Sequence, residues 1–231
     1  LFATADVTIN TARGITLLAD GNALGADSGD QLTYNGIITG DYNLTIARNA
    51  SGTVVLGGTN TYSGSTNVSS GTLKISADVN LGTAPAEATA NHLYLSGGHL
   101  HTTTTMTLNS NRGMHLNTSW SYLEVADTTT LTYDGIITGT STSYDLVLNY
   151  SGTTGTLVLG GTSTYVGSTK IYDGTLSISD ELNLGPTSCS NTDCIDLYNA
   201  GVLQITDDVT FGNNQGIKIS NSDNTKILIA T

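Results

Sequence analysis

A phrase of 31 residues occurs twice in this chain, and it constrains the fold more than any other feature of the sequence. The first copy, GTVVLGGTNTYSGSTNVSSGTLKISADVNLG, spans residues 52–82, and the second, GTLVLGGTSTYVGSTKIYDGTLSISDELNLG, spans residues 155–185. The two copies align without a gap and are identical at 20 positions. Self-similarity at a long period is typical of repeat architectures, in which each unit packs against its neighbours.

The duplication extends over nearly the whole chain. Residues 1–36 align with residues 100–135 at a constant offset of 99, and after a four-residue insertion the offset becomes 103. We interpret the chain as one continuous solenoid fragment over 1–231. Its predicted subdivision is a partial repeat at 1–36, a repeat at 37–135 and a repeat at 136–231.

A shorter period within each repeat predicts the coils of a parallel β-helix. Runs of alternating apolar residues begin at Thr72, Leu93, Gly113 and Thr130, which lie 17 to 21 residues apart. Strands this short cannot bury an apolar face alone, but stacking each coil on the next one buries it. The sequence therefore predicts an all-β fold, a parallel β-helix of about ten coils. At about 4.8 Å per coil the rod is on the order of 50 Å long.

A β-sandwich or a tandem array of immunoglobulin-like domains is the alternative all-β architecture. Those folds have longer strands, usually with turns every 8–12 residues or so, and clear hairpin signals. The period of about twenty residues and the two prolines favour the solenoid instead. Alternation within TLKIS and TLSIS then places Leu73 and Leu176 in the stacked core.

The balance of charge excludes two classes of partner. Seven lysines and arginines stand against 19 aspartates and glutamates, which gives a formal net charge of −12. Nucleic-acid binding depends on basic residues that neutralise phosphate, and anionic membrane surfaces likewise attract basic patches. No apolar run approaches the roughly 18 residues that span a bilayer. We expect neither nucleic-acid binding nor direct membrane insertion by this segment.

The phrase at residues 155–179, with its copy at residues 52–76, resembles the autotransporter-associated β-strand repeat of bacterial autotransporter passengers and giant surface adhesins. The pattern GTLxLxGxNTYxGxTxVxxGTLxI carries the resemblance, and the two LTYxGIITG segments extend it. The resemblance implies a right-handed β-helix outside a Gram-negative cell, within an outer-membrane-anchored parent protein. It also implies a rigid stalk or adhesive surface in cell attachment, stacked on neighbouring solenoid repeats. Its partner would be a glycan or a protein on a host or partner cell.

Aromatic side chains are the candidates for ligand contact. Tyr62 and Tyr165 occupy the same position in the two copies of the phrase, and Trp120 and Tyr122 lie in the segment SWSY. Aromatic rings stack on sugars and anchor protein partners, so we expect these four side chains to face outward. A carbohydrate- or protein-binding adhesive module is thus the first alternative to a passive stalk. Tyrosines that only cap the corners of the coil are the competing interpretation.

Four histidines fall close together at positions 92, 99, 101 and 115, and alternation places all of them on the outer surface. A metal site is geometrically conceivable there. However, the positions 103 residues further on carry no histidine. We therefore expect solvated side chains and no metal site.

Two loops that are rich in carboxylate and amide groups support a hypothesis of weak calcium binding. Ordinary acidic turns are the alternative, because neither loop has the spacing of an EF-hand, and we expect no other cofactor. The loops contain Asp20, Asn22, Asp27 and Asp30 near the start of the chain, and Asn221, Asp223 and Asn224 near its end.

A polysaccharide-degrading enzyme is the second alternative, since several such enzymes are β-helices. Asn191-Thr192-Asp193 and Asp207-Asp208 resemble motifs of polygalacturonases. Neither motif has a supporting basic residue that would stabilise an oxyanion or bind an acidic sugar. We predict that the chain has no catalytic residue and is not an enzyme.

Cys189 and Cys194 are the two cysteines of the chain, separated by four residues. This spacing differs from the two-residue separation of zinc knuckles and thioredoxin-like motifs. We expect a local disulfide between them, which requires an oxidising compartment.

Overall fold

The computed structural model describes residues 1–47, 51–185, 194–212, 215–220 and 225–229. Over these residues the chain is a parallel β-solenoid of about nine turns. Each strand pairs in parallel with the corresponding strand of a neighbouring coil, as shown for strands along the ten-stranded sheet. The predicted all-β parallel solenoid is confirmed, while the right-handed sense of the coil stays a prediction.

Three long sheets and one short sheet form the walls of the solenoid. The seven-stranded sheet contains, in spatial order, β1 (Phe2–Ala3), β4 (Asn22–Ala26), β7 (Leu44–Ile46), β9 (Thr66–Val68), β11 (Thr89–Leu95), β14 (Arg112–Leu116) and β17 (Ile137–Thr138). The ten-stranded sheet contains β2 (Val7–Ile9), β5 (Gln31–Tyr34), β8 (Thr53–Leu56), β10 (Thr72–Ile75), β12 (His99–Thr102), β15 (Trp120–Val125), β18 (Asp145–Leu148), β20 (Thr169–Ile171), β22 (Ile195–Leu197) and β24 (Ile217–Ile219). The six-stranded sheet contains β13 (Met106–Leu108), β16 (Thr130–Tyr133), β19 (Thr156–Leu159), β21 (Thr175–Ile178), β23 (Val202–Ile205) and β25 (Lys226–Ile229). The short sheet pairs β3 (Ile15–Leu17) with β6 (Ile38–Gly40).

The register between coils stacks apolar side chains in columns along the core. Leu73 pairs with Val54 on one side and with Leu100 on the other, and Leu100 pairs in turn with Leu123. Leu73 and Leu176 are both fully buried, which confirms that they point inward. Full burial of a leucine contributes about 1.5–3 kcal/mol, so each column holds several coils together.

Each copy of the duplicated phrase ends in a 3-10 turn, at Asp78–Leu81 and at Glu181–Leu184, in which the asparagine and the leucine are buried. Asn80 accepts hydrogen bonds from the two backbone N–H groups that precede its turn, and it donates one to the carbonyl of Gly58 in the preceding coil. Asn183 makes the three equivalent bonds in the second copy. The asparagine thus satisfies backbone groups that would otherwise be buried without partners.

The glycine after each turn has a geometry that no other residue fits. Gly82 and Gly185 have φ angles of 77° and 80°. A Cβ atom there would lie 2.3 Å from the carbonyl oxygen of Tyr62 and 2.4 Å from that of Tyr165, respectively. The LG step of the repeat therefore reflects both a left-handed backbone and the close approach of the preceding coil.

Tyr62 and Tyr165 point into the core, so the prediction that they face outward is wrong. Their side chains are 0% and 1% exposed. Their hydroxyls form hydrogen bonds with the hydroxyls of Thr66 and Thr169, at 2.7 and 2.6 Å. Burial raises the pKa of Tyr62 to about 12. Both rings lie in irregular segments between strands, where period-two alternation does not determine direction. Both tyrosines therefore stabilise the coil from within, which agrees with the competing interpretation of a structural role.

His92 also departs from its predicted position on the outer surface, since it is only 6% exposed. The pairing of β11 with β14 shifts its register between Thr89 and Leu93, and Asn91 has a φ of 64°. This irregularity breaks the alternation on which the prediction depended. Burial lowers the pKa of His92, and the charge of Arg112 lowers it further. The other three histidines are half-buried on the outer face, as alternation predicts.

Replacing Leu73 by aspartate should prevent folding, because it places an unpaired charge in a stacked column of the core. The matched control is Thr72→Asp, which adds the same charge to the half-buried outer face of the same strand. We expect the control to keep the β-type circular dichroism spectrum and the cooperative thermal unfolding of the native chain. Equal behaviour of the two variants would contradict the assignment of inner and outer faces.

Candidate functional site: an aromatic ladder

The outer face of the ten-stranded sheet carries a row of aromatic side chains that we call the aromatic ladder. Trp120 and Tyr122 lie on β15, and the tyrosines that extend the row follow β18, β20 and β22 within one or two residues. Successive coils place these segments beside one another, so residues that are distant in the sequence become neighbours. The ladder consists of Trp120, Tyr122, Tyr150, Tyr172 and Tyr198, with His99 of β12 at one end.

The rings contact one another continuously along the ladder. His99 stacks on Tyr122 with ring centroids 4.0 Å apart and an interplanar angle of 4°. Tyr150 lies 5.3 Å from Tyr122 and 4.8 Å from Tyr172. Tyr172 then stacks on Tyr198 at 4.5 Å and 10°. These distances are close to the spacing of about 4.8 Å between paired strands, so the coil repeat itself sets the stacking.

Trp120 lies beside the row of tyrosines. Its ring centroid is 5.5 Å from that of Tyr150, 6.0 Å from that of Tyr122 and 6.4 Å from that of Tyr172. The arrangement with Tyr150 is close to perpendicular, at 67°. Edge-to-face pairs of this kind are worth about 0.5–1.5 kcal/mol beyond the area that they bury.

Val147 shows that the ladder forms a small apolar layer on the outside of the sheet. It pairs in register with Tyr122 and with Lys170, whose side chains are on the outer face. Val147 is nevertheless fully buried, and it is not part of the main core cluster. We attribute its burial to the surrounding aromatic rings. The ladder thus stabilises the sheet as well as presenting a surface.

A lysine and a buried aspartate flank Trp120. The ammonium of Lys170 lies 5.3 Å from the centre of the Trp120 ring and 2.7 Å from a carboxylate oxygen of Asp145. Burial acts to lower the pKa of Lys170, but the hydrogen bond and charge of Asp145 outweigh burial and raise it. Lys170 therefore stays charged at neutral pH and orients the indole ring through a cation–π contact.

The loop that carries Tyr150 is held by the buried carboxylate of Glu124, which is 1% exposed. Glu124 is 2.9 Å from Nδ1 of His99. It also accepts hydrogen bonds from the hydroxyls of Ser151 and Thr153, both at 3.1 Å, and from the N–H of Ser151 at 3.3 Å. One carboxylate therefore connects the ring at the end of the ladder to the loop at its centre.

Asn149 fixes the other side of this loop. It is fully buried and adopts a left-handed φ of 53°. Its side chain accepts a hydrogen bond from the N–H of Val125 and donates to the carbonyls of Gly155 and Asp173. The position of Tyr150, which is 44% exposed, follows from these anchors on both sides.

The sequence predicted part of this site. Trp120 and Tyr122 lie on the outer face as expected, and both are half-buried. Tyr150, Tyr172 and Tyr198 were not identified, although their spacing of about one coil is a usable signal. Tyr62 and Tyr165 belong to the core instead. A role of the outer rings in ligand contact stays a prediction.

Among the described residues, no three or more side chains of histidine, cysteine, aspartate or glutamate are grouped so that they could hold a metal ion. In the first acidic loop, the carboxylate of Asp20 accepts hydrogen bonds from the backbone and the side chain of Asn43. Calcium binding there stays a prediction. The second acidic loop, at 221–224, and the motif at 191–193 lie outside the described residues.

Cys194 is buried and disulfide-bonded. Its predicted partner, Cys189, lies outside the described residues. The described part of the chain also contains no helix that is long and apolar enough to cross a membrane.

The carboxylate of Glu124 should stabilise the loop in a pH-dependent manner. Burial acts to raise the pKa of Glu124, but the bonds from His99 and Ser151 outweigh burial and lower it below the ordinary value of 4.5. Its stabilisation is therefore present above pH 4.5 and is lost as pH falls through the lower native pKa.

We expect Glu124→Gln to lower the free energy of unfolding by about 1–3 kcal/mol at pH 6, and by less at pH 3. Urea unfolding at both pH values, followed by the fluorescence of the single tryptophan, Trp120, measures the difference. Glu87→Gln is the control, because Glu87 is exposed and precedes β11 of the seven-stranded sheet, outside the ladder. A loss that is the same at both pH values would contradict a role for the charge.

Comparisons with known proteins identify the duplicated phrase as a known repeat. Residues 51–75 and 152–178, which contain the duplicated strands, match the model of the passenger-associated-transport-repeat. The adhesin BmaC autotransporter of Brucella suis biovar 1 (strain 1330) is 34% identical over 174 residues. The match covers 71% of this chain and 5% of that protein, so the chain corresponds to a small part of its relative. No solved structure matches the chain.

These relationships confirm the resemblance that the repeated phrase predicted. The phrase matches the repeat model twice, the relative is an autotransporter adhesin, and the strands form the expected parallel solenoid. The chain belongs to the autotransporter passenger-repeat family.

Proposed function

We propose that this chain is a rigid, non-enzymatic segment of the passenger of a bacterial surface adhesin, and that its aromatic ladder contacts the target of attachment. The observation that carries the proposal is the continuous row of aromatic rings on the outside of a repeat solenoid. The relative that is named an autotransporter adhesin supports a location at the surface of a Gram-negative cell, in an outer-membrane-anchored parent protein.

The solenoid supports the role of a rigid segment. The ten-stranded sheet continues from β2 to β24, so its hydrogen bonds run through all three predicted repeat units. A rod of this kind resists bending, because bending would separate paired strands along one side. A chain with these properties can hold an adhesive surface at a fixed distance from the cell.

The ladder supports a role in contact with a glycan or a protein. Tyrosine and tryptophan are enriched at the energetic centres of protein interfaces, and their rings also pack against sugars. Tyr150 projects furthest, at 44% exposure, and its ring is held in place by its neighbours. A preorganised ring loses little conformational entropy on binding. A passive stalk, in which the ladder only stabilises the sheet, is the alternative.

Binding of the purified chain to host or partner cells and to a glycan array tests the proposal. We expect saturable binding that Tyr150→Ala weakens by about tenfold or more, since a hot-spot aromatic residue at the centre of an interface contributes about 2 kcal/mol or more. The control is Tyr42→Ala, because Tyr42 is 41% exposed and lies outside the ladder. Thermal unfolding of both variants verifies that they fold.

Two outcomes would contradict the proposed contact surface. Binding that both variants retain would place the contact elsewhere on the chain. An absence of binding to cells and glycans at high micromolar concentration would leave the ladder with a structural role and the chain as a spacer.

A further inference from the structure

Arg112 is buried between two coils and holds the 3-10 turn at Asp78–Leu81. Its side chain is 1% exposed. Nε donates to Asp78 Oδ1 at 2.9 Å and Nη2 to Oδ2 at 3.2 Å, which is a two-point ion pair. The guanidinium also donates to the carbonyls of Leu81 and Gly82, at 2.9 and 2.5 Å. The end of the turn is thereby satisfied by a single side chain.

Arg13 occupies the equivalent position 99 residues earlier, in the same backbone setting. The hydroxyl of Tyr34 donates to the carbonyl of Arg13 at 2.7 Å, and the hydroxyl of Tyr133 donates to that of Arg112 at the same distance. Both arginines also close a turn with the third residue before them, through bonds of 3.2 and 3.0 Å. The frame that positions Arg112 is therefore repeated around Arg13.

No turn faces Arg13 in the part of the chain that the structure describes. Its side chain is exposed, and it lines a cavity of about 480 Å³. Ile9 and Ile15 line the same cavity and are half-buried, whereas their equivalents Leu108 and Met114 are fully buried. The cavity thus combines a free guanidinium with apolar side chains that are covered in the equivalent coil.

We propose that this cavity is the receptor for an Asp-x-x-Leu-Gly turn of another coil of the same repeat type. The guanidinium of Arg13 donates hydrogen bonds to the aspartate carboxylate and to the last carbonyls of that turn, as Arg112 does in the equivalent coil. The N–H of Asn10 donates a hydrogen bond to the same carboxylate, since the equivalent N–H of Asn109 donates to Asp78 at 2.9 Å. The leucine of the incoming turn covers Ile9 and Ile15. This contact is independent of any binding by the aromatic ladder.

The second turn within the chain has a different partner. Gln215 stands where the alignment would place an arginine, and it faces the turn at Glu181–Leu184. Among the described residues, its Nε2 donates to the carbonyl of Gly185, at 3.4 Å. Glu181 accepts from the N–H of Gly212, just as Asp78 accepts from the equivalent N–H of Asn109, so the two turns share this backbone contact and differ in the arginine contact. Arginine is thus paired with an aspartate turn, and glutamine with a glutamate turn. Arg13 matches the arginine type, so we expect its partner to be an aspartate turn, which forms the two-point ion pair seen between Arg112 and Asp78.

The test adds a second copy of residues 52–99 directly before Leu1 of the full chain, since Leu1 is equivalent to Leu100. The readout is hydrogen exchange at Nε–H of Arg13 by NMR, which is assignable because the chain has three arginines. We expect exchange to slow by at least tenfold relative to the chain without the addition. Asp78→Asn in the added copy should remove most of that protection. Val79→Ala in the added copy is the control, because Val79 is exposed in the same turn.

The proposal is overturned if Arg13 Nε–H exchanges as fast as before while the backbone amides of the added strands are protected. It is equally overturned if the added residues remain unprotected throughout, because the fit of the turn is what should seat them. Equal protection with Asp78→Asn and with the unchanged copy would show that the carboxylate plays no part.

Discussion

Hydrogen bonding between parallel strands of successive coils is the interaction on which the rest of this structure depends. It requires each coil to lie directly on the previous one, in register, at about 4.8 Å. Within the paired strands, each side chain therefore has a fixed neighbour one coil away, on the inside and on the outside. The leucine columns of the core, the asparagine-bonded turns and the outer aromatic ladder are all consequences of that spacing.

A solenoid must turn its chain several times per coil without leaving backbone groups unsatisfied, and this chain does so with buried polar side chains. Asn80 and Asn183 bond the backbone of their own turn and that of the preceding coil. Arg112 satisfies the carbonyls at the end of one turn. Such groups are costly to bury alone but stabilising when every partner is present. They also make each junction between coils specific, since a partner of different length or charge leaves some of them unpaired.

The aromatic ladder has two physical roles that are compatible. Its rings cover Val147 and extend apolar packing to the outside of the sheet, which stabilises the coils that it crosses. The neighbouring rings also hold Tyr150 in place, and its loop is fixed by the hydrogen bonds of Ser151 with Glu124 and of Thr153 with Asn149. A surface that is ordered before binding is well suited to contact. The repeat thereby supplies both the scaffold and the presentation of the site.

The amino-acid sequence by itself determined the architecture, because a parallel solenoid is built from local periods that are visible in the chain. The duplicated phrase, the alternation around Leu73 and the LG step all follow from stacking equivalent residues. Only the tertiary structure decided the direction of side chains outside the regular strands. Tyr62 points inward and forms a hydrogen bond with Thr66, and a register shift buries His92. In both places the backbone is irregular, so period-two alternation does not determine which way a side chain points. The tertiary structure also assembled the ladder, since Tyr150, Tyr172 and Tyr198 become neighbours only when the exact length of each coil is known.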